Sequence, residues 1–234
     1  RSFVRRCKRL HRAGRVLYVV ASGGGLLQML GVGDWDTLVA ASEALVRRPD
    51  AVQALMERTT DFYCDCLDRV LSKVSVDYAS LYEPIASNAG PVISPEMFKR
   101  FALPGYRKVI DLLRKHDVPL RVMCTTGGDL SSLLPMVVDA GINGLWISNI
   151  MSAKMEYSKL RQEYGSDVAL IGGIDTMALT RDEAAVRRAV MGTAPPLLES
   201  GRYLPCLDDR PRANTSFSLY RLYRELLAEL ALRG

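Results

Sequence analysis

Long apolar runs, secretory signals and histidines are scarce or missing in this 234-residue sequence. No run approaches 18 uncharged apolar residues, roughly the length of a transmembrane helix, so we expect no membrane contact. No stretch has the pattern of a secretory signal peptide. The sequence has two histidines, His11 and His116, and neither follows a predicted strand. No imidazole is therefore available where an α/β protein places its chemistry.

Cysteine is present five times, without the spacing of a disulfide framework. An odd number of unpatterned cysteines indicates reduced thiols, so we expect a cytoplasmic protein. The net charge is +5, and seven cations fall within the first 15 residues. No aromatic residues interleave with these cations. This favours a solvated helix face or a subunit contact, such as a homodimer, over nucleic-acid binding.

Apolar periodicity predicts strands that alternate with helices along the whole chain. The predicted strands are 15–21, 76–82, 119–124, 144–148, 167–171 and 202–206. The predicted helices are 2–12, 34–47, 50–73, 94–116, 130–140, 154–164, 181–191 and 214–232. Alternation of this kind indicates a parallel sheet covered by helices, with about six βα units. We expect Pro104 to kink or split its helix, and Pro195 and Pro196 to interrupt theirs.

The predicted strands end in polar or glycine-rich residues. In a parallel α/β protein these ends share one edge of the sheet, where active sites are found. Cys124 is either a thiol placed for chemistry or a small core residue, and Asp175 either binds a substrate or caps its loop. Tyr82 either lines a cavity or packs in the barrel wall, and we expect Trp146 in the core. Further polar residues at these ends are Glu83, Asn149, Cys206, Asp208, Asp209 and Arg210.

Three stretches resemble the uroporphyrinogen decarboxylase superfamily. They are EPIASNAGPVISPEMFKRFALPGYRKVI (83–110), PLRVMCTTGGDLSSLLPMVVDAGINGLWI (119–147) and LRQEYGSDVALIGGIDTMAL (160–179). The resemblance covers nearly the whole chain and implies a single (β/α)8 TIM-barrel domain over 1–234. With about six βα units, we expect the N-terminal units of that barrel to be absent or supplied from elsewhere.

The resemblance implies one of two chemistries. Decarboxylase members need no cofactor, but their pattern after the glutamate and near the last strand differs from Tyr82-Glu83-Pro84-Ile85-Ala86 and from Cys206-Leu207-Asp208-Asp209. Methyltransferase members move a methyl group between a corrinoid and a thiol that zinc activates. Their metal ligands match Cys124, Cys206 and Glu83, whereas Val122 stands where they place a histidine.

From this resemblance we expect a methyltransferase-like enzyme with a small-molecule substrate, possible zinc and a possible corrinoid-protein partner. A cofactor-independent decarboxylase of a porphyrinogen or another carboxylated substrate is the first alternative, and a non-catalytic ligand-binding or corrinoid-protein-binding descendant is the second. The expected catalytic residues are Glu83 and Asp175. The expected substrate-binding residues are Tyr82, Asn149, Asp209 and Arg210. The expected metal ligands are Cys124, Cys206 and Glu83.

Overall fold

The computed structural model describes residues 2–21, 25–87, 89–125, 128–148 and 155–232. The chain forms two compact units. The first unit comprises Arg1–Ile85, Pro91–Thr125 and Leu130–Asn143. The second comprises Ala86–Gly90, Thr126–Asp129 and Gly144–Gly234.

Helices and strands alternate from one end of the chain to the other. Up to residue 115 the elements are α1 (Ser2–Arg12), β1 (Tyr18–Val20), α2 (Gly25–Met29), α3 (Trp35–Arg47), α4 (Pro49–Leu71), β2 (Tyr78–Tyr82), β3 (Ala86–Ser87), β4 (Gly90–Pro91), α5 (Pro95–Met97) and α6 (Leu103–Lys115). The remaining elements are β5 (Leu120–Thr125), α7 (Leu134–Ala140), β6 (Gly144–Ile147), α8 (Tyr157–Tyr164), β7 (Ala169–Ile174), α9 (Glu183–Glu199), β8 (Tyr203–Leu207) and α10 (Phe217–Ala231).

The sheet of the first unit has three parallel strands in the order β1-β2-β5. Tyr18 pairs with Tyr78, and Tyr82 pairs with Cys124. Because neighbouring strands are parallel, the carboxyl ends of β2 and β5 lie at the same edge. Residues of one face are buried, among them Ala79, Leu81 and Met123.

The sheet of the second unit has three parallel strands in the order β6-β7-β8. Trp146 pairs with Ile171, and Ile171 pairs with Leu204. Ile174 and Leu207 belong to a buried cluster with residues of α9 and α10. Burial of such an apolar face at about 25 cal/mol per Å² is the main contribution to the stability of this layer.

Three of the predicted helices differ from the observed ones. The predicted split at Pro104 is confirmed, because α5 continues through a π-helical turn, Phe98–Ala102, into α6 with Pro104 in its first turn. Proline is tolerated at that position, where its missing N–H has no intrahelical partner. The helix predicted over 130–140 begins at Leu134 instead, with Pro135 in its first turn.

The prediction that Pro195 and Pro196 interrupt their helix is wrong, since α9 runs through both to Glu199. The ring of a proline crowds the carbonyl four residues earlier, which for Pro196 belongs to Gly192. A Cβ at Gly192 would meet no atom within 4 Å, so the backbone there has room to move aside. The open space next to this helix accommodates what the local pattern forbids.

Each sheet also has a face that its helices do not cover, which we call the open face. In the first unit it carries Tyr18, Val20, Tyr78, Ser80, Tyr82 and Cys124. In the second unit it carries Trp146, Leu204 and Cys206, because these three occupy matching register positions. Trp146 is 40% exposed, so its prediction as a core residue is wrong: its position in β6 points it to the open face.

Candidate active site at the carboxyl ends of the strands

Three predicted site residues of the first unit lie together at the carboxyl edge of its sheet. Tyr82 is the last residue of β2 and pairs with Cys124 in β5. The next residue, Glu83, donates its backbone N–H to the carbonyl of Cys124 over 2.8 Å. The parallel register of β2 and β5 therefore brings the phenol, the carboxyl group and the thiol to one place.

The Glu83 carboxylate is fully buried and occupied by protein donors. Its two oxygens each accept from the backbone N–H of Leu26 at 3.1 Å, and Oε2 also accepts from the Tyr106 hydroxyl at 2.8 Å. Gly25 lies against this group with φ +82°, and a Cβ there would be 2.6 Å from the Tyr82 carbonyl oxygen. Glu83 thus ties the start of α2 and the side chain of α6 to the end of β2.

Burial dominates the protonation of this cluster. It raises the pKa of Glu83 from its ordinary value of 4.5 to about 7, although the bonds from Leu26 and Tyr106 favour the charged form. Burial, together with the negative charge of Glu83, raises the pKa of Tyr106 well above its usual range. At neutral pH the Tyr106 phenol is therefore protonated and can donate to Glu83.

Cys124 has a polar neighbour on the same face. Its Sγ lies 3.3 Å from the Ser80 hydroxyl, and the side chain is partly buried. Burial raises the pKa of the Cys124 thiol, and the Ser80 bond opposes this shift. In the second unit, burial and then the charge of Asp208 raise the pKa of Cys206 to about 11. Both thiols are therefore protonated at neutral pH and weakly nucleophilic.

The carboxyl edge of the second unit holds a small network centred on Thr176. The Thr176 hydroxyl donates to the buried Asp208 carboxylate at 2.7 Å, and the Thr176 N–H does so at 2.9 Å. The backbone N–H of Asp209 donates to the Thr176 hydroxyl at 2.9 Å. The neighbouring Asp175, partly buried, accepts from the Met177 N–H at 2.9 Å and so caps a short 3-10 turn.

The structure places the remaining predicted residues as follows. Asp209 accepts from the backbone N–H of Arg210 at 2.7 Å and pairs with Arg212 at 3.6 Å. The Arg210 side chain is exposed after β8. Asn149 lies outside the described residues. The second unit therefore gathers Asp175, Asp209 and two cations at the ends of β7 and β8.

The expected zinc site does not fit the donors in the part of the chain that the structure describes. Among those residues, no group of three or more His, Cys, Asp or Glu side chains could hold a metal ion. Glu83 already accepts bonds from Leu26 and Tyr106. Val122, where an imidazole was expected by resemblance, is an apolar residue with 0% exposure. Structural zinc usually takes four ligands and catalytic zinc three.

Sequence reasoning missed the partners that hold the site acids. Tyr106 and Leu26 lie 23 and 57 residues from Glu83 in the chain, and no local pattern connects them. Thr176 was missed as well, although it follows a candidate acid directly. Asp208 was visible as an acid at a strand end, but only the structure shows it to be the buried member of the network.

The fold and the placement of these residues define the class of protein. Parallel strands alternate with helices in both units, and the chemistry-bearing side chains stand at the carboxyl ends, as in α/β proteins of repeated βα units. A family model described as uroporphyrinogen decarboxylase (URO-D) matches residues 26–204. The chain belongs to the uroporphyrinogen decarboxylase family. Members of this family are TIM barrels, which confirms the predicted fold class with its six strands.

Curated relatives are similar over most of this chain but only part of their own length. A uroporphyrinogen decarboxylase of Cupriavidus pinatubonensis is 29% identical over 182 residues, which is 75% of this chain and 43% of that protein. The corresponding protein of Salinibacter ruber is 27% identical over 183 residues, 76% of this chain and 48% of the relative. The chain thus spans less than half of these relatives. No described helix is long and apolar enough to cross a membrane.

Proposed function

We propose that this chain contributes to the site of a cofactor-independent carboxy-lyase that acts on an apolar ring substrate bearing carboxylates. The observation that carries this proposal is the carboxyl edge of the second unit. There the open face presents Trp146 and Leu204, and the loop after β8 presents Arg210 and Arg212. An apolar surface followed by guanidinium groups suits a molecule with an apolar body and carboxylate substituents.

The reaction needs a proton but no oxidant or reductant. The bond between carbon and carboxylate breaks, CO2 leaves, and the electron pair that stays on the carbon takes up a proton. Asp175, at the end of β7 and partly exposed, is our candidate for the group that meets the substrate. Glu83 is a positioning residue in this proposal, because its carboxylate is enclosed by Leu26 and Tyr106.

The names of the relatives support the decarboxylase proposal over methyl transfer. The test is anaerobic turnover of uroporphyrinogen by the chain, followed as release of CO2. We expect Arg210→Gln to raise KM at least about tenfold with little change in kcat, since a hydrogen bond between charged groups is worth about 1.5–3 kcal/mol. Arg187→Gln, an exposed arginine on α9, is the matched control. Absence of turnover, or equal effects of both substitutions, would contradict the proposal.

Methyl transfer between a corrinoid and a thiol is the second candidate. It is favoured by one observation, the presence of Cys124 and Cys206 on strands at positions where their thiols are partly accessible. Its test is zinc analysis of protein purified without chelator, combined with methyl transfer from methylcobalamin to a small thiol. Close to one equivalent of zinc, lost in Cys124→Ser, would support this candidate. Less than a tenth of an equivalent, unchanged by that substitution, would remove it.

A further inference from the structure

Strand β1 is an edge strand whose outer side has no partner strand among the described residues. Its bonds to β2 use alternate residues: Leu17 accepts from the Asp77 N–H at 2.7 Å, and Ala21 donates to Ser80 at 2.8 Å. Backbone groups alternate in direction along a strand. The N–H and C=O groups of Tyr18 and Val20 therefore point away from β2, where another strand could bond to them.

The side chains on this edge are apolar and exposed. Val16, Tyr18 and Val20 are 68%, 56% and 58% exposed, and they recur at every second residue. Tyr18 stacks on Tyr78 with ring centroids 4.9 Å apart and planes 5° apart. A row of exposed apolar side chains beside unused backbone bonds is the surface to which β-strands add.

The charge next to this row indicates what kind of strand fits. Helix α1, which leads into β1, has no acidic residue and exposes Arg6, Lys8, Arg9 and Arg12. A second copy of this chain would bring an identical set of cations to the same surface, and like charges oppose pairing. Acidic groups would instead be attracted there.

We propose that the outer edge of β1 binds a β-strand of a separate partner polypeptide. That strand carries apolar side chains at alternate positions and acidic residues at the end beside α1. The partner bonds to the backbone of Tyr18 and Val20, covers the apolar row, and pairs its carboxylates with the α1 cations. This interaction surface is independent of the proposed carboxy-lyase activity, because it involves none of the residues assigned to that site.

The test uses a synthetic peptide of alternating valine and threonine with two glutamates at each end, and its counterpart with lysines in place of the glutamates. We expect saturable binding of the acidic peptide in fluorescence anisotropy, and binding of the lysine peptide at least about tenfold weaker. Hydrogen exchange should slow at the Tyr18 and Val20 amides when the acidic peptide binds. Salt at 0.5 M should weaken binding about tenfold, because screening shortens the range of the charges.

Two pairs of substitutions separate edge pairing from general stickiness. Val20→Pro removes an N–H that points away from β2, so it should abolish peptide binding while circular dichroism stays unchanged, and Val20→Thr should bind as before. Arg9→Glu with Arg12→Glu should weaken binding at least tenfold. Arg187→Glu with Arg188→Glu, both exposed on α9, should not.

Three results would overturn the proposal. The first is no saturable binding of the acidic peptide. The second is equal binding of the acidic and lysine peptides, which would show that charge does not select the partner. The third is a stable dimer of this chain at low salt whose Tyr18 and Val20 amides are already protected, which would assign the edge to a second copy.

Discussion

Gly25 is the residue whose substitution most directly tests the packing around Glu83. Gly25→Ala would place a Cβ against Glu83 and the Tyr82 carbonyl at a positive φ. We expect the free energy of unfolding in urea to fall by about 3 kcal/mol or more, from overpacking and backbone strain together. Gly31→Ala is the control, since Gly31 has φ +78° and no atom within 4 Å of its ideal Cβ. It should cost only about 1 kcal/mol, and equal losses would refute crowding as the cause.

The protonation of Glu83 makes stability depend on pH in a direction opposite to that of most carboxylates. Its pKa is about 7 in the folded protein against 4.5 ordinarily, so the folded state binds the proton more tightly. The stabilisation is complete below pH 4.5 and is lost as pH rises through about 7, amounting to about 3 kcal/mol. Between these pH values, the difference in unfolding free energy between wild type and Glu83→Gln should shrink by this amount.

The control for this pH dependence is Glu57→Gln, because Glu57 is an exposed glutamate on α4. Its unfolding free energy should follow the wild-type pH curve within about 0.5 kcal/mol. A wild-type difference curve against Glu83→Gln that stays flat from pH 4.5 to 7 would show that the buried carboxyl does not titrate in this range.

At the scale of elements, α9 shows how far a local rule can be overridden. Pro196 is exposed and interrupts the hydrogen bonding of the helix at the Gly192 carbonyl. Pro196→Ala restores that donor, and we expect the free energy of unfolding to rise by about 1–2 kcal/mol, less than the full proline penalty because unfolded-chain entropy rises too. Arg188→Ala on the same helix should change it by less than about 0.5 kcal/mol. A destabilising Pro196→Ala would mean that the ring itself packs usefully.

The helices and strands were predictable wherever one period governed a stretch. Strand β2 and helix α4 follow their apolar patterns to within two residues at each end. Prediction failed at Pro195 and Pro196, because the free space around Gly192 is a tertiary property. It failed at Trp146 for a related reason, since periodicity does not say which face of a strand the helices will cover.

For the molecule as a whole, the fold class was predictable because alternation of strands and helices leaves few arrangements. The candidate acids and thiols were predictable too, because they end strands. Their partners were not: Tyr106 reaches Glu83 only through the packing of α6 on the sheet. The donors around a buried carboxylate come from distant parts of the chain, and a single sequence gives no spacing from which to infer them.

Also at this scale, the open edge of β1 predicts how the chain associates with itself. At low salt the cations of α1 should keep copies apart, and at 0.5 M salt screening should permit weak pairing of exposed edges. Light scattering at rising salt should therefore show growing particle mass. Val20→Lys should suppress this growth, whereas Val46→Lys, at an equally exposed valine on α3, should not. Equal growth in both variants would place the association elsewhere.

The side chain of Arg161 has a consequence for the order of folding events. Its guanidinium donates to the carbonyls of Val168 at 2.9 Å and of Gly201 at 2.8 Å, seven and 40 residues along the chain. The short loop closes at low entropic cost, whereas the long one must await the arrival of β8. Arg161→Lys cannot span both carbonyls, and we expect it to speed unfolding more than it slows refolding in stopped-flow chevrons, with a φ-value below about 0.3. One arginine thus acts as a late latch that sets how long the folded second unit persists, rather than how quickly it forms.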